Sequence, residues 1–353
     1  MSSCAKSHAL LITALLAVSI PATSSLATVF LQDDFESYTS TADMQAVWGS
    51  SGAGSLDNSL AGANNNSMFH PGGTVNTENF NPGNFVPTDN NPIVWQFDFY
   101  WDGSDNKRMT GGLRDNASGA DPNALLEMGY YNDALNPINN DDSDEGFAYR
   151  TALLPNSTNW VLFTSLDNST KLAPTGGTWS TFRAIIKKDS VTFTVDLGRD
   201  GTIDSTATVG VDSTDITYNI ARFGGPSSLS SAGGGADFDN ISIQSILLGD
   251  ANGDGKIGPD DYALLDRGFA KQLTGFANGD FNFDNVIDAN DYLIIDATYA
   301  AQIGGLSPAF LAQRSAQFGD AYVSTLLASL PEPSAMFFAG LSAVMAVKRR
   351  RRR

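Results

Sequence analysis

Thiols and imidazoles are nearly missing from this chain. Its 353 residues include one cysteine, Cys4, and two histidines, His8 and His70. Lys6 precedes an apolar run from Ala9 to Ile20, and Ser25-Leu26-Ala27 offers a small-x-small cleavage site, so residues 1–27 read as a signal peptide. Beyond that leader there is no thiol, hence no disulfide framework and no Cys-based metal site. With His70 alone, a His-rich zinc site is excluded as well. A Ser-His-Asp triad would have to use His70 within Met68-Phe69-His70-Pro71-Gly72, and no nucleophile elbow accompanies it. Walker A and dinucleotide fingerprints are absent too. Positive charge is scarce, at 21 Lys+Arg against 39 Asp+Glu. Setting aside residues 1–27 and 331–353 removes seven of the basic and one of the acidic residues, for a net charge of about −24. Such a chain repels nucleic acid, and no nucleic-acid partner is expected.

Helical periodicity is also lacking over residues 28–247. Short apolar or alternating runs occur instead, among them Ile93–Trp101, Leu126–Tyr131, Trp179–Lys187 and Val191–Leu197. Turn signals such as Lys188-Asp189-Ser190 and Arg199-Asp200-Gly201 separate them. Asp196–Asp204 is read as a hairpin turn rather than a cation loop, because Arg199 stands where a ligand would help. All five tryptophans fall in this segment, so it can fill a core; one large β-sandwich is expected. Trp95, Phe97, Phe99 and Trp101 alternate with Gln96, Asp98 and Tyr100, which places the aromatic set inward and the polar set outward. By the same alternation Glu127 and Tyr131 point away from Leu126, Met128 and Tyr130. Were the two strands neighbours, Gln96, Asp98, Tyr100, Glu127 and Tyr131 would line one groove suited to sugar hydroxyls and a pyranose face.

A repeat occupies the next 50 or so residues. Gly249-Asp250-Ala251-Asn252-Gly253-Asp254-Gly255-Lys256-Ile257, with Asp261-Tyr262 after it, recurs 30 residues later as Gly279-Asp280-Phe281-Asn282-Phe283-Asp284-Asn285-Val286-Ile287, with Asp291-Tyr292. Oxygens at loop positions 1, 3, 5, 7 and 12 are what an EF-hand-type Ca²⁺ loop needs. Asp250, Asn252, Asp254, the Lys256 carbonyl and Asp261 supply them once. Asp280, Asn282, Asp284, the Val286 carbonyl and Asp291 supply them again. Gly255 and Asn285 sit at the sharp bend and tolerate left-handed backbone. Ile257 and Ile287 are expected to pair the loops through a short strand contact. Tyr262, Leu265 and Phe269, then Tyr292 and Ile295, mark an apolar helix face after each loop.

These residues resemble a type I dockerin, over residues 249–300. The resemblance implies two Ca²⁺ ions, folding that depends on them, and a cohesin-like module as partner. Positions 10 and 11, through which the family meets cohesin, are here Pro259-Asp260 and Ala289-Asn290 rather than the common Ser-Thr pair. Cohesin binding therefore carries over less securely than Ca²⁺ binding. The sandwich segment opens Asp33-Asp34-Phe35-Glu36 and closes Ala236-Asp237-Phe238-Asp239-Asn240-Ile241-Ser242-Ile243. These ends loosely resemble concanavalin A-like jelly rolls of the laminin-G and glucanase type. The resemblance implies that the first and last strands lie side by side, which would bring Asp34, Glu36 and Asp239 together as a third Ca²⁺ candidate.

Pro331-Glu332-Pro333, an apolar run from Ala335 to Val347 and the basic end Lys348–Arg353 resemble a PEP-CTERM sorting signal of Gram-negative bacteria. The resemblance implies export, transient inner-membrane insertion and cleavage by an exosortase. The expected fold is thus mainly β. A jelly-roll β-sandwich (28–247) precedes a small α-helical EF-hand-like dockerin domain (248–300), short helices broken near Gly319-Asp320 (301–330), and a C-terminal hydrophobic helix (331–353). The expected function is that of a surface or extracellular-matrix protein, binding Ca²⁺ and a glycan or protein partner without catalysis. The alternative is a secreted polysaccharide-degrading enzyme, a glycoside hydrolase or lyase. Against it, Glu36, Glu78, Glu127 and Glu145 are widely separated, and no Glu-x-Asp-x-x-Glu strand is present.

Overall fold

The computed structural model describes residues 28–60, 66–83, 85–103, 108–115, 124–131, 146–154, 156, 158–172, 175–225 and 235–330. The expected signal peptide and the sorting segment with Pro331, Glu332 and Pro333 lie outside them. No helix among the described residues is long and apolar enough to cross a membrane.

Among the described residues, fourteen strands form two antiparallel sheets. In chain order the first seven are β1 (Thr28–Asp33), β2 (Ser55–Asp57), β3 (Ser67–His70), β4 (Val75–Asn79), β5 (Ile93–Trp101), β6 (Met109–Asp115) and β7 (Ala124–Tyr131). The rest are β8 (Gly146–Ala152), β9 (Val161–Leu162), β10 (Thr178–Ile186), β11 (Ser190–Leu197), β12 (Ser205–Gly210), β13 (Ile220–Gly224) and β14 (Ala236–Ser245). The eight-stranded sheet runs β12-β11-β10-β5-β14-β3-β2, with β1 also on β14; the six-stranded sheet runs β4-β13-β6-β7-β8-β9. First and last strands are neighbours, as the jelly-roll resemblance implied. β3 pairs with Ala236–Phe238 and β1 with Ile241–Ser245, and an irregularity at Asn240, φ 49°, separates the two stretches of β14.

The two-residue period of each strand sends one set of side chains between the sheets. Trp95, Phe97 and Phe99 are fully buried, as are Phe182, Phe193 and Phe238 from their own sheet and Phe223 from the other. Phe97 stacks on Phe182 at 5.6 Å and meets Phe223 edge-on at 5.1 Å, so one ring ties both sheets. Gly111 makes this contact feasible: a Cβ there would lie 2.6 Å from Phe97. A short helix, α1 (Thr41–Trp48), capped by the Ser40 side chain, lays Trp48 against Phe35 and Phe223.

Helices follow the last strand. α2 (Pro259–Lys271) and α3 (Ala289–Ile303) enclose a small core of Ile257, Leu265, Phe281, Ile287, Tyr292 and Ile295. Gly268 in α2 lets the Asn278 carbonyl approach; a Cβ there would lie 2.0 Å from that oxygen. The expected strand pairing of Ile257 with Ile287 is absent among the described residues. The Gln302 amide takes that role, accepting from the Ile257 N–H and donating to its carbonyl.

Two further helices, α4 (Pro308–Phe318) and α5 (Asp320–Ser329), fold back on this unit across Gly319, φ 90°. Their anchor is a buried ion pair. Arg314 donates from Nε and Nη2 to both Asp296 oxygens, at 2.7 and 2.8 Å, and Tyr262 and Tyr322 hydroxyls complete the carboxylate. Tyr262, Tyr292 and Phe310 rings surround the guanidinium at 5.1–5.3 Å.

Candidate functional site

The two acidic loops have the same internal wiring. In the first, Asp250 accepts from the N–H groups of Asp254 (3.1 Å) and Gly255 (2.8 Å), Asn252 from Asp254, and Asp254 from Lys256. Asp261 reaches back to the N–H groups of Asn252 and Gly258. In the second, Asp280 accepts from Asp284 (3.1 Å) and Asn285 (3.1 Å), Asn282 from Asp284, Asp284 from Val286, and Asp291 from Asn282 and Asp288. Left-handed backbone falls at Gly253 and Gly255 in one loop and at Phe283 and Asn285 in the other. Phe283 is the member no sequence rule singles out. Its conformation is held by tertiary contacts, a 5.5 Å stack on Phe276 and the Arg183 guanidinium 5.0 Å above its ring.

Asp250, Asp261, Asp280 and Asp291 are each at most 2% exposed. Burial raises all four carboxyls, Asp291 to about 6. Buried carboxylates that face one another are costly unless a cation joins them. Carboxylate, amide and main-chain oxygens with no nitrogen or sulfur donor suit a hard ion such as Ca²⁺. Among the described residues no three His, Cys, Asp or Glu side chains converge as a ligand cluster. In these loops the oxygens that would complete a shell include an amide and a main-chain carbonyl.

The third Ca²⁺ candidate does not assemble in the same way. It is Asp33, not Asp34, that turns inward, accepting from the Phe35 N–H, the Tyr38 hydroxyl and the Trp48 indole. Asp34 caps the Glu36 N–H, and Glu36 accepts from the Asn66 N–H. Asp239 is fully buried beside Asn240; burial, reinforced by the charges of Asp98 and Glu36, lifts its carboxyl to about 7. The three acids share a neighbourhood but no common shell, because the left-handed Phe35, φ 59°, turns the chain between Asp34 and Glu36.

The polar face of β5 opens on a cavity of about 510 Å³. Gln96, Asp98, Thr181, Arg199, Asn240 and Ser242 line it, together with Asp34 and Asp196. Asp98 accepts from the Thr181 hydroxyl (2.6 Å) and the Asn240 amide (2.8 Å) and pairs with Arg199 at 3.1 Å. Gln96 accepts from Arg183 Nε at 2.9 Å. Tyr100 meets Trp179 at 5.4 Å, and Arg199 lies over the Trp179 ring. Alternation along β5 placed Gln96, Asp98 and Tyr100 on this outer face. It missed Trp179, Arg199 and Asn240, whose approach depends on which strands flank β5.

One grouping is corrected. Glu127 and Tyr131 do point outward, but from the six-stranded sheet, so they cannot share a groove with Gln96, Asp98 and Tyr100. β10 and β14, not β7, flank β5, and the sandwich core separates the two sets. Alternation fixes the face of a strand; it does not say which sheet the strand joins. The single His70 belongs to neither site. It is buried, its Nδ1 accepts from the Gly72 N–H at 3.0 Å, and burial lowers its imidazole to about 4.

The second acidic loop abuts the cavity's surroundings. Asn285 donates its side-chain amide to the Gly201 carbonyl, and Phe283 packs with Val94, Ile185, Ile246 and Leu248. A smaller cavity of about 150 Å³ lies between Gln96, Arg183, Asp196 and Asn285.

Neither a family model nor a curated protein matches the chain. Solved structures do match in part. Lectin II from Ulex europaeus aligns at 15% identity, over 56% of this chain and 91% of that one, with a TM-score of 0.37. A GH131 β-glucanase catalytic domain from Podospora anserina aligns at 12% identity, over 61% and 95%, also with a TM-score of 0.37. The basic winged bean lectin with Tn-antigen aligns at 10% identity over 63% and 98%, again at 0.37.

Proposed function

We propose that this is an exported surface or extracellular-matrix protein whose sandwich holds a glycan without cutting it, beside a helical unit loaded with two Ca²⁺ ions. The 510 Å³ cavity on the outer face of β5 carries the glycan reading. Carboxylate, carboxamide, hydroxyl and guanidinium groups converge there at hydrogen-bonding distance from one another, the mixture of donors and acceptors that sugar hydroxyls exchange with. Tyr100, two residues along the strand on the same face, supplies a ring. Asp250, Asn252, Asp254, the Lys256 carbonyl and Asp261 would hold one ion, and Asp280, Asn282, Asp284, the Val286 carbonyl and Asp291 the other. The PEP-CTERM-like segment supports export and exosortase processing, and the dockerin-like pair supports a cohesin-like partner.

One observation favours the hydrolase alternative. Asp98 and Asp239 are cross-strand partners, and Asp239 holds its proton up to about pH 7, as a general acid must. Its complete burial weighs against this, since a general acid has to touch the glycosidic oxygen. A glycan array and a reducing-sugar assay on the 28–330 protein with Ca²⁺ present separate the readings. Binding near 10⁻⁴ M, about −5 kcal/mol, is expected from so open a cavity. Asp98→Asn should weaken it roughly tenfold, the loss of about one charge-assisted hydrogen bond, and Tyr100→Ala should weaken it without unfolding. Sugar release that Asp98→Asn abolishes would overturn the non-catalytic reading.

A further inference from the structure

The two acidic loops are wired alike inside and differ in what they face. Positions 4 and 6 are Gly253 and Gly255 in the first loop, Phe283 and Asn285 in the second, and all four residues are left-handed. Glycine adopts that conformation freely, Asn tolerates it, and Phe disfavours it. Among the described residues a Cβ at Gly253 would meet nothing within 4 Å, so the first loop is open there. The second loop therefore carries backbone strain that the first avoids, and strain of this kind persists only where surrounding contacts hold it.

Those contacts are with the sandwich. Phe283 packs with Val94 of β5, Ile185 of β10, and Ile246 and Leu248 just beyond β14. The Arg183 guanidinium lies 5.0 Å over its ring, and the same Arg183 donates from Nε to Gln96 at 2.9 Å. Asn285 donates to the Gly201 carbonyl. Gln96 and Gly201 both line the 510 Å³ cavity. Arg183 also shares its charge between Asp280 of the loop and Asp196 and Asp98 of the cavity. No slack separates the two parts. The Ile246 and Leu248 N–H groups donate to the Pro92 and Asn90 carbonyls at 3.2 and 3.0 Å, so the chain is held until two residues before Asp250.

We propose that the second loop is a latch between the ion site and the cavity. The oxygens of Asp280, Asn282, Asp284 and Val286 can gather around a cation only while Phe283 and Asn285 stay left-handed, and in that conformation both residues are seated on the sandwich. Filling the loop and seating it thus favour one another, as linkage requires. The seated loop steadies the Asp196–Asp204 turn through Asn285 and the Gln96 side of the cavity through Arg183. Arg183 is a positioning residue here, acting through Gln96. The first loop, with glycine at both positions, has no side chain to make such a coupling. The inference rests on the two-ion reading of the loops.

Hydrogen exchange and calorimetry on the 28–330 protein, with Ca²⁺ and with chelator, test the latch. Ca²⁺ should slow exchange of the Asp196–Asp204 amides about tenfold and leave those of β6–β8, in the other sheet, unchanged. The double variant Phe283→Gly, Asn285→Gly gives the second loop the residues of the first. It should still bind two ions and keep its helical ellipticity, while Ca²⁺ no longer slows the turn. Should the double variant lose an ion, Asn285→Gly alone decides: two ions bound and a smaller Ca²⁺ effect on the turn are expected. A parent that binds two ions with no slowing of the turn would overturn the latch and leave the two-ion reading standing. So would slowing spread equally over both sheets, or an undiminished effect in the deciding variant. No ion bound by the parent would overturn the two-ion reading, and the latch with it.

Discussion

Rings fill the space between the two sheets, and the buried carboxylates of the sandwich, Asp98, Glu127 and Asp239 among them, lie on the outer faces, while the helical unit buries carboxylates beside its own small core. Phe97, Phe182, Phe223 and Phe238 contact one another across the two sheets with no charge among them. The helical unit, with less than a third of the residues, buries Asp250, Asp261, Asp280, Asp291 and Asp296. Asp296 has Arg314 as its counter-charge inside the protein. The four loop aspartates have backbone N–H groups for partners, and Arg183 adds a positive charge near Asp280; the proposed Ca²⁺ ions would supply the rest. With the proposed ions bound, a small fold would replace apolar area, which it lacks, with charge neutralisation, at the cost of depending on an ion.

The largest expected effect is the removal of that ion. Chelation of Ca²⁺ from the 28–330 protein should melt α2 and α3, seen as lost helical ellipticity, and leave the near-ultraviolet signal of the sandwich tryptophans. Calorimetry should count two ions, with one lost in each of Asp254→Ala and Asp284→Ala. A helical unit equally stable in chelator would mean that its carboxylates need no cation.

Next come matched core deletions in the two regions. Phe97→Ala should destabilise the sandwich by about 3–5 kcal/mol through a cavity where both sheets meet. Arg314→Ala should cost a similar 3–5 kcal/mol in the helical unit, since it leaves Asp296 buried and unpaired. The contrast sharpens in their rescue: Arg314→Ala should recover with Asp296→Asn, a carboxamide needing no counter-charge, whereas Asp296→Asn should do nothing for Phe97→Ala. Denaturant unfolding of the single and double variants decides this.

A smaller effect is confined to acid. His70 is neutral when folded, with its imidazole lowered to about 4 by burial, against about 6.5 unfolded. Between these values the unfolded chain takes up the proton and the folded one does not, so stability present above pH 6.5 is lost as pH falls toward 4. The loss should be about 3 kcal/mol. His70→Asn, which keeps an acceptor for the Gly72 N–H, should remove this contribution, read as a difference in slope from the parent, since Asp237 and Asp239, raised to about 7 by burial, contribute with opposite sign in both proteins. An unchanged slope would place the acid sensitivity elsewhere.

Much of this was legible in the residues. The two-residue alternation of Ile93–Trp101 assigned inner and outer faces correctly, because a strand has only two faces and Trp95, Phe97 and Phe99 cannot be left in water. Asx and glycine positions in the repeat fixed its loop wiring, since those bonds run between residues two to nine apart. The hairpin at Arg199 followed from Asp-Gly turn chemistry for the same reason.

Which pieces meet was left open by the residues. That Arg199 and Asn240 converge on Asp98, across 101 and 142 positions of chain, follows from β10 and β14 both pairing with β5 and from β11, which leads into the Arg199 turn, pairing with β10. Glu127 was placed on the right kind of face and given the wrong neighbours, because the alternation of one strand carries no information about the sheet that strand will join. Phe283 took a left-handed conformation that its side chain does not favour, held by Phe276 and Arg183. Local periodicity and turn chemistry act over a few residues and are written in the sequence. Strand order and long-range ion pairing depend on which of many burial-compatible arrangements packs best, and only the assembled tertiary structure decides that.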